Sequence, residues 1–136
     1  MRSFFLRILA ADRPFYEGEC TSLIIPTEDG LYGIMAGHRN ITAAVVPGVL
    51  TLRKPDGSET VAAVSSGILV SEDGNVLVLV ETAELPEEID VNLAEREAAD
   101  AKEAMLQKRS IQEYYLARDK MARELNRLKI KNTKYQ

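Results

Sequence analysis

The distribution of glycine and proline divides this chain into two parts. All eight glycines and all five prolines lie between Pro14 and Pro86, and residues 87–136 contain neither. Both residue types mark turns and disfavour the interior of a helix. We therefore expect two domains: a turn-rich one at residues 1–86 and a helical one at residues 87–136.

The first part has the pattern of an antiparallel β protein. Short runs rich in branched aliphatic residues alternate with turn signals: FFLRIL, CTSLII, VLTLR, TVAAV, ILV and VLVLV. Pro55-Asp56-Gly57 separates the third run from the fourth, and Glu72-Asp73-Gly74-Asn75 separates the last two, as in tight hairpins. No segment of helical length and period interrupts the runs, which argues against a parallel βαβ sheet. The pattern predicts an antiparallel β-sandwich or barrel.

The second part has the period of an α-helix. Asp90 follows Pro86 and is a suitable N-cap residue for a helix over residues 91–106. Apolar side chains then recur at steps of three and four, and most of them are alanines. The stripe consists of Val91, Ala94, Ala98, Ala101 and Met105.

A second helix is predicted after a short polar break at residues 107–109. Ser110 and Glu113 fit a capping box at its start. Its expected apolar stripe, with Arg118 as the polar exception, is Ile111, Tyr114, Met121, Leu125 and Leu128. Two helices joined by so few residues fold back as an antiparallel hairpin. The predicted fold class is therefore α+β, a sandwich followed by a helical hairpin.

Composition restricts the chemistry of the chain. It has a single cysteine, Cys20, and a single histidine, His38, so neither an internal disulfide nor a Cys/His zinc site can form within one chain. A Cys20–His38 nucleophile pair is formally possible, but Cys20 lies in an alternating stretch where we expect it to pack in the core. A reducing compartment fits one free thiol best.

Charge is distributed unevenly along the chain. The net charge is −4, which argues against a nucleic-acid-binding protein. Yet residues 91–106 carry a net charge of −2 and residues 107–136 carry +6. One interpretation is that opposite charges help the two helices to pair. The other is that the basic helix docks on an acidic partner.

The stretch PTEDGLYGIMAGHRNITAAVVPGVLTLR resembles the epsilon subunit of F-type ATP synthases. The matching elements are Pro26-Thr27, Asp29-Gly30, Gly33-Ile34, Gly37-His38 and Pro47-Gly48. The opening LRILAADRPFYEGE and the order of the two domains also match the family, so the resemblance covers essentially the whole chain. The chain departs from the family around Gly-His, with Ala36 before it and Arg39-Asn40 after it.

The resemblance implies a non-catalytic subunit of the rotor stalk. The β domain would bind the gamma subunit and rest on the ring of c subunits. The implied contact residues there are Glu28, Asp29, Leu31, Tyr32 and His38. His38, which follows two glycines that suit a chain reversal, would be a structural corner rather than a catalytic group, because no second catalytic residue is near it in sequence.

The helical hairpin is the regulatory element of the family. Extended into the catalytic head, it would inhibit ATP hydrolysis by contacting the alpha and beta subunits. The implied contacts with acidic surface are Arg118, Arg123, Arg127 and Lys129. An alanine stripe buries little apolar area, at about 0.8 kcal/mol per methyl-sized group, so we expect docking of the hairpin to be marginal.

Nucleotide binding is only weakly supported by the sequence. Some bacterial family members bind ATP through Ile/Leu-Asp-x-x-Arg-Ala. This chain keeps Ile89, Asp90 and Ala94 but has Leu93 in place of the arginine, so a cation that would pair with phosphate is missing there. ATP binding is therefore possible but weakly supported, and we expect no cofactor. The single cysteine and single histidine likewise lead us to expect no metal.

Two other hypotheses remain open: an ATP-sensing regulatory module, and an unrelated adaptor whose basic arm binds nucleic acid or anionic lipid. The N-terminal apolar patch is too short for a signal peptide, and no run of about 18 apolar residues is present. The expected location is the cytoplasmic face of a bacterial membrane, with the stromal side of the thylakoid as the alternative. Neither nucleic acid nor direct membrane insertion is expected.

Overall fold

The computed structural model describes residues 2–107 and 111–132. In that part of the chain ten strands precede two helices. The strands are β1 (Phe4–Ala10), β2 (Pro14–Cys20), β3 (Ser22–Thr27), β4 (Gly30–Met35), β5 (Ile41–Val45), β6 (Gly48–Arg53), β7 (Glu59–Val64), β8 (Gly67–Glu72), β9 (Asn75–Val80) and β10 (Ala83–Glu84). A single 3₁₀ turn (Pro86–Glu88) leads to α1 (Val91–Gln107) and α2 (Ile111–Asn132).

The strands form a sandwich that is almost continuous around its core. Their order is β10-β7-β6-β3-β5-β8-β9-β1-β2, and β4 pairs with β3 beside this path. Only one residue pair, Thr27 with Val45, joins β3 to β5, so the sheet turns sharply there into two layers. Buried side chains of both layers form one core. This architecture confirms the predicted α+β sandwich with a helical pair.

Alternation of side chains determines which residues enter the core. In β1 the buried residues are Phe4, Leu6 and Ile8, separated by half-buried or exposed neighbours. Every strand pair in the described chain is antiparallel except one: β1 and β9 are parallel, with Leu6 opposite Val76. These two strands are joined through the rest of the sandwich, so no tight turn imposes an antiparallel pairing on them.

Four strands were not predicted from the sequence. β2 contains Pro14 and Gly18 with two glutamates, β4 contains two glycines, β5 is short and contains two alanines, and β10 has only two residues. Such residues have low β-propensity, and here the neighbouring strands override it. The expectation that Gly33 reverses the chain is wrong, because Gly33 lies within β4 opposite Ile24.

Helix α1 follows the prediction closely. Asp90 caps it: its Oδ1 accepts a hydrogen bond from the backbone N–H of Leu93 at 3.1 Å. Ala94, Ala98 and Ala101 are buried, as the stripe predicts. The helix has 17 residues, so it is about 25 Å long.

Helix α2 matches its predicted stripe only in part. Met121 and Leu128 are half-buried, but Leu125 is 50% exposed, whereas Ala117, Glu124 and Ile130 are buried. The prediction was wrong at Leu125, because α2 packs against both α1 and the sandwich, so a single apolar stripe does not define its inner face. The side chains of Ile111 and Tyr114 lie outside the described residues. The proposed capping serine, Ser110, lies outside the described residues.

Cys20 is fully buried at the end of β2, as expected for a core residue. Its thiol donates a hydrogen bond to the carbonyl oxygen of Ser22 at 2.9 Å. Burial raises the pKa of the Cys20 thiol, since a thiolate loses solvation there. The reactive thiolate is thus disfavoured in the folded state.

We expect the Cys20 thiol to be protected from modification in the folded protein. With a thiol-specific disulfide reagent at pH 8, it should react about 100-fold or more slowly than in urea, where burial and the raised pKa are both lost. Equal rates in buffer and in urea would show that the thiol is accessible in the native state.

Gly67 is required by a close approach between two strands. A Cβ at this position would lie 1.9 Å from the carbonyl oxygen of Leu79 and 2.7 Å from the Cα of Val80, both backbone atoms. We expect Gly67→Ala to lower the free energy of unfolding by about 3 kcal/mol, because the strands must separate. Urea denaturation measures this change.

Gly33 provides the matched control, since nothing lies within 4 Å of a Cβ built on it. We expect Gly33→Ala to leave the urea midpoint within experimental error. A Gly67→Ala variant as stable as Gly33→Ala would contradict the close approach.

Candidate functional site

The turn between β3 and β4 presents an acidic and apolar tip. Thr27 Oγ1 donates a hydrogen bond to the carbonyl oxygen of Gly30 at 2.7 Å, which closes the turn. Glu28 and Asp29 are exposed, and Leu31 is 71% exposed. The geometry suits contact with a partner rather than chemistry, because the side chains point into solvent from a rigid hairpin.

Tyr32 and His38 form a pair that supports this hairpin from the side. The two ring centroids are 5.4 Å apart in an edge-to-face arrangement. His38 Nδ1 is 2.7 Å from the carbonyl oxygen of Arg39, which can only accept, so Nδ1 carries the proton. His38 Nε2 lies 2.8 Å from the hydroxyl oxygen of Tyr32. Both ring nitrogens therefore have a hydrogen-bond partner.

The loop that carries His38 is fixed at two points. Gly37 has a φ of +82°, a left-handed conformation that favours glycine, and the His38 N–H bonds to the carbonyl oxygen of Met35 at 3.2 Å. The backbone N–H of Asp73, in the β8–β9 turn, donates to Asn40 Oδ1 at 3.0 Å. Asn40 thus anchors the loop to the β8–β9 turn.

Cys20 and His38 do not form a nucleophile pair. The thiol of Cys20 bonds to Ser22, and the imidazole of His38 bonds to Tyr32 and Arg39. Within residues 2–107 and 111–132, no three His, Cys, Asp or Glu side chains converge in a way that could hold a metal ion.

One layer of the sandwich consists of β5, β8, β9, β1 and β2. Its outer face carries an apolar surface that was not predicted from the sequence. Cross-strand pairs place Ala44 beside Ile68, Ile68 beside Leu79, and Leu79 beside Leu9. We call these four residues the apolar row. Ile68 is 39% exposed and Leu79 is 40% exposed, which is unusual for large aliphatic residues in one line across four strands.

A sequence signal for the apolar row does exist. A strand with one face in solvent alternates apolar and polar residues, but NVLVLV in β9 is apolar at both parities. Val76, Val78 and Val80 fill the core, which leaves Leu77 and Leu79 on the outside. A second apolar surface lies on the outside of the other layer, in β3 and β4. Its exposed side chains are Ile24, Leu31 and Met35.

The hairpin is docked on β6, β7 and the linker through α2. Ile130 is fully buried against Ala63 and Ile89. Asn126 Nδ2 donates to the carbonyl oxygen of Gly48 at 2.8 Å, and Lys131 Nζ donates to that of Pro86 at 3.0 Å. In the described part of α2, this contact therefore combines apolar packing around Ile130 with hydrogen bonds to backbone carbonyls.

Arg123 and Arg127 lie within the docked interface. Arg127 Nε is 2.5 Å from Glu84 Oε1, and its Nη1 is 2.5 Å from Glu124 Oε1. Arg123 Nη1 is 3.8 Å from Glu81 Oε2. Burial by itself lowers the pKa of Arg127, but the hydrogen bond and charge of Glu124, together with Glu84, outweigh it and raise the pKa.

The other two predicted cations are exposed. The Arg118 side chain is 53% exposed; its guanidinium lies 4.6 Å from the ring centroid of Tyr115 and 4.0 Å from Asp119. Lys129 is also exposed. The four basic residues thus fall into two groups: Arg123 and Arg127 are mostly buried at the sandwich, and Arg118 and Lys129 are exposed.

The three residues of the nucleotide motif all have structural roles. Ile89 packs against Ile130, Asp90 caps α1, and Ala94 is buried. Leu93 is 43% exposed, so the position at which the motif has arginine carries an apolar side chain in solvent. These contacts neither require nor provide a phosphate-binding group at that position.

Comparison with known proteins agrees with this architecture. Residues 3–86 match the family model described as ATP synthase, Delta/Epsilon chain, beta-sandwich domain. The ATP synthase epsilon chain of Ruminococcus albus is 40% identical over 135 residues, covering 98% of this chain and 100% of that one. The epsilon chain of Caldanaerobacter subterraneus subsp. tengcongensis is 38% identical over 136 residues, covering 99% and 97%.

Solved structures share the fold at much lower identity. A chain of the Euglena gracilis mitochondrial ATP synthase, solved with OSCP, F1 and c-ring, superposes with a TM-score of 0.75 at 20% identity, covering 91% of this chain and 78% of that one. A chain from the central stalk and c-ring of the Tetrahymena thermophila enzyme gives 0.66 at 12%, covering 96% and 98%. With the sandwich matched by the family model and both parts covered by full-length relatives, the chain belongs to the family of ATP synthase epsilon chains.

Proposed function

We propose that this chain is a non-catalytic subunit of the rotor stalk of an F-type ATP synthase. Residues 1–86 bind the gamma subunit and rest on the c-ring, and residues 87–136 regulate ATP hydrolysis by reaching the alpha and beta subunits. The chain transmits rotation driven by ion flow and does not itself make or break bonds. The apolar row on a rigid sandwich is the observation that carries the binding role.

The relatives support the assignment of partners. The full-length matches are named ATP synthase epsilon chains, and the two structural neighbours come from complexes whose descriptions name F1, the central stalk and the c-ring. A subunit that bridges a rotor shaft and a membrane ring needs two separate contact surfaces. The sandwich has exposed apolar groups on the outer faces of both layers.

The apolar row is the surface we assign to gamma. Leu79 and Ile68 are partly exposed at the centre of four paired strands. A partner that covers them would remove aliphatic surface from water, and the hydrogen-bonded strands keep the two side chains in fixed positions. The row is flanked by Arg7 and Glu17, whose side chains lie 3.9 Å apart and are both about half exposed. An apolar centre with a charged rim is the usual composition of a stable interface.

The β3–β4 turn is the surface we assign to the c-ring. Leu31 supplies the exposed apolar contact, and Glu28 and Asp29 supply a polar rim. Tyr32 is half-buried, so His38 and Tyr32 act by holding the hairpin in position rather than by direct contact over their full surface. This placement refines the implied role of His38.

The hairpin has the properties of a detachable regulatory element. In its described residues, the contact with the sandwich consists of a small apolar cluster around Ile130 and a few polar interactions, so a partner contributing a few kcal/mol can shift its position. Arg118 is accessible in the docked state and can meet an acidic surface first.

We propose that the chain lies at the cytoplasmic face of a bacterial membrane and is held there by its partners. In the part of the chain that the structure describes, no helix combines the length and apolar character needed to cross a membrane. Contact with the c-ring by residues of the β3–β4 turn would keep the chain at the membrane surface.

We expect a charge in the apolar row to abolish binding to gamma. Ile68→Asp combined with Leu79→Asp would bury two carboxylates without partners in the interface. When gamma is coexpressed with the variant and purified by an affinity tag, recovery of this chain should fall at least about tenfold, the loss that one such unpaired group causes.

Ile24→Asp is the matched control, because Ile24 is 40% exposed on the outer face of the other layer. It should copurify with gamma as the unmodified chain does. Equal recovery of the double variant and the control would remove the apolar row from the gamma interface.

We expect neutralisation of the exposed basic residues to relieve inhibition. Arg118→Gln with Lys129→Gln leaves the docked contacts of Arg123 and Arg127 intact but weakens attraction to an acidic surface. ATP hydrolysis by the assembled enzyme at low salt should rise about twofold to fivefold.

Lys102→Gln on the exposed side of α1 serves as the control for loss of positive charge. If hydrolysis with the double variant equals that with Lys102→Gln over a range of nucleotide concentrations, the inhibitory role of these two residues is excluded.

A further inference from the structure

Two carboxylates of the sandwich hold the cationic face of α2. Glu81 follows β9 and Glu84 ends β10, so both belong to the rigid part of the chain. Glu84 contacts Arg127 at 2.5 Å, in a pair whose side chains are only 21% and 17% exposed. Glu81 contacts Arg123 at 3.8 Å, and the arginine there is 23% exposed.

A third carboxylate, Glu124, belongs to α2 itself. It is fully buried, with Oε1 2.5 Å from Arg127 Nη1 and 3.4 Å from Arg123 Nε. Its Oε2 and the Nε of Arg123 have no hydrogen-bond partner in the structure. Because Glu124 lies between the two arginines on the same helix, it stays with them whether α2 is docked or not.

Docking therefore reverses the sign of the charge in this cluster. Docked, the cluster holds two arginines and three carboxylates and has a net charge of −1. On α2 alone, two arginines and Glu124 leave +1. The positive charge at Arg123 and Arg127 is thus neutralised by the sandwich and becomes available only when the hairpin leaves.

We propose that Glu81 and Glu84 are regulatory counter-ions that mask Arg123 and Arg127, and that an acidic protein surface releases the hairpin by replacing these two carboxylates. The proposal rests on the regulatory role proposed above and specifies how that role is controlled. The same arginines serve both positions of the hairpin, so the docked and extended states compete for one pair of cations.

Geometry gives the exchange an order. Arg118 is exposed in the docked state and makes the first contact with an acidic surface. Arg123 and Arg127 can follow only after their bonds to the sandwich break, and leaving either of them unpaired and partly buried is costly. The acidic partner must therefore present carboxylates spaced to meet both arginines, one helical turn apart.

The test uses the full chain with Glu81→Gln and Glu84→Gln together. Spin labels at Thr42→Cys and Leu125→Cys, both exposed positions, in a Cys20→Ala background report the distance between sandwich and hairpin. We expect the double glutamine variant to increase the undocked population about tenfold, since two charge-assisted contacts are weakened.

Salt provides a second measurement, which distinguishes ion pairing from apolar packing at this contact. In the chain with native glutamates, the undocked population should increase from about 50 mM to 500 mM salt, because salt screens the Arg123–Glu81 pair, whose glutamate is 65% exposed. In the Glu81→Gln and Glu84→Gln variant this increase should be largely absent. Equal salt dependence in the two proteins would overturn the proposal.

Glu72→Gln with Glu95→Gln is the matched control, since it removes the same charge from exposed positions outside the cluster. It should leave the distance distribution unchanged. In the assembled enzyme, Glu81→Gln with Glu84→Gln should lower ATP hydrolysis relative to this control, because the released hairpin inhibits more.

The outcomes separate this proposal from the regulatory role on which it rests. If Arg118→Gln with Lys129→Gln raises hydrolysis but the glutamate variant matches its control in both distance and hydrolysis, the masking is wrong and the regulatory role stands. If the glutamate variant releases the hairpin but hydrolysis responds to neither variant, the masking stands and the regulatory role fails.

Discussion

The surfaces of the sandwich follow from the alternation of side chains in a two-layer sheet. Residues of one parity fill a single core, so residues of the other parity must face outward. In a protein that worked alone these outward positions would be polar. Here Ile68, Leu79 and Leu31 occupy them, and part of the remaining outer face is covered by Ile130 of the hairpin. The sandwich therefore combines a packed core with several exposed apolar surfaces that can bind partners.

Much of the fold was accessible from the sequence because turns and helices have local signals. The hairpin turns at Asp56 and Gly74 and the cap at Asp90 lie where the residues indicate. β2 and β4 were missed because their glycines and acids have low β-propensity, and only pairing with neighbours places them in the sheet. Whether a strand pairs in parallel, as β1 does with β9, has no local signature at all.

The candidate sites were only partly accessible for a related reason. The resemblance identified Leu31 and Arg118 as contact residues, and both are exposed. Only the structure showed that Arg127, named for the same role as Arg118, is instead bonded to the sandwich. Leu125 illustrates the limit of helical periodicity: an apolar residue at the expected spacing faces solvent, while the charged Glu124 is buried. A helix with two different neighbours buries whatever those neighbours can satisfy, so a single apolar stripe does not identify its inner face.

The parallel pairing of β1 with β9 has a consequence for folding during synthesis of the chain. Phe5 lies opposite Asn75, so β1 has no neighbour on one side until β9, at the other end of the sandwich in sequence, has been synthesised. During that interval its apolar residues depend on β2 alone, the hairpin partner that follows at once. Early pairing of β1 with β2 would reduce the exposure of the apolar residues of β1 during translation. Pairing of β9 with β1 would then complete the sheet in one late, cooperative step.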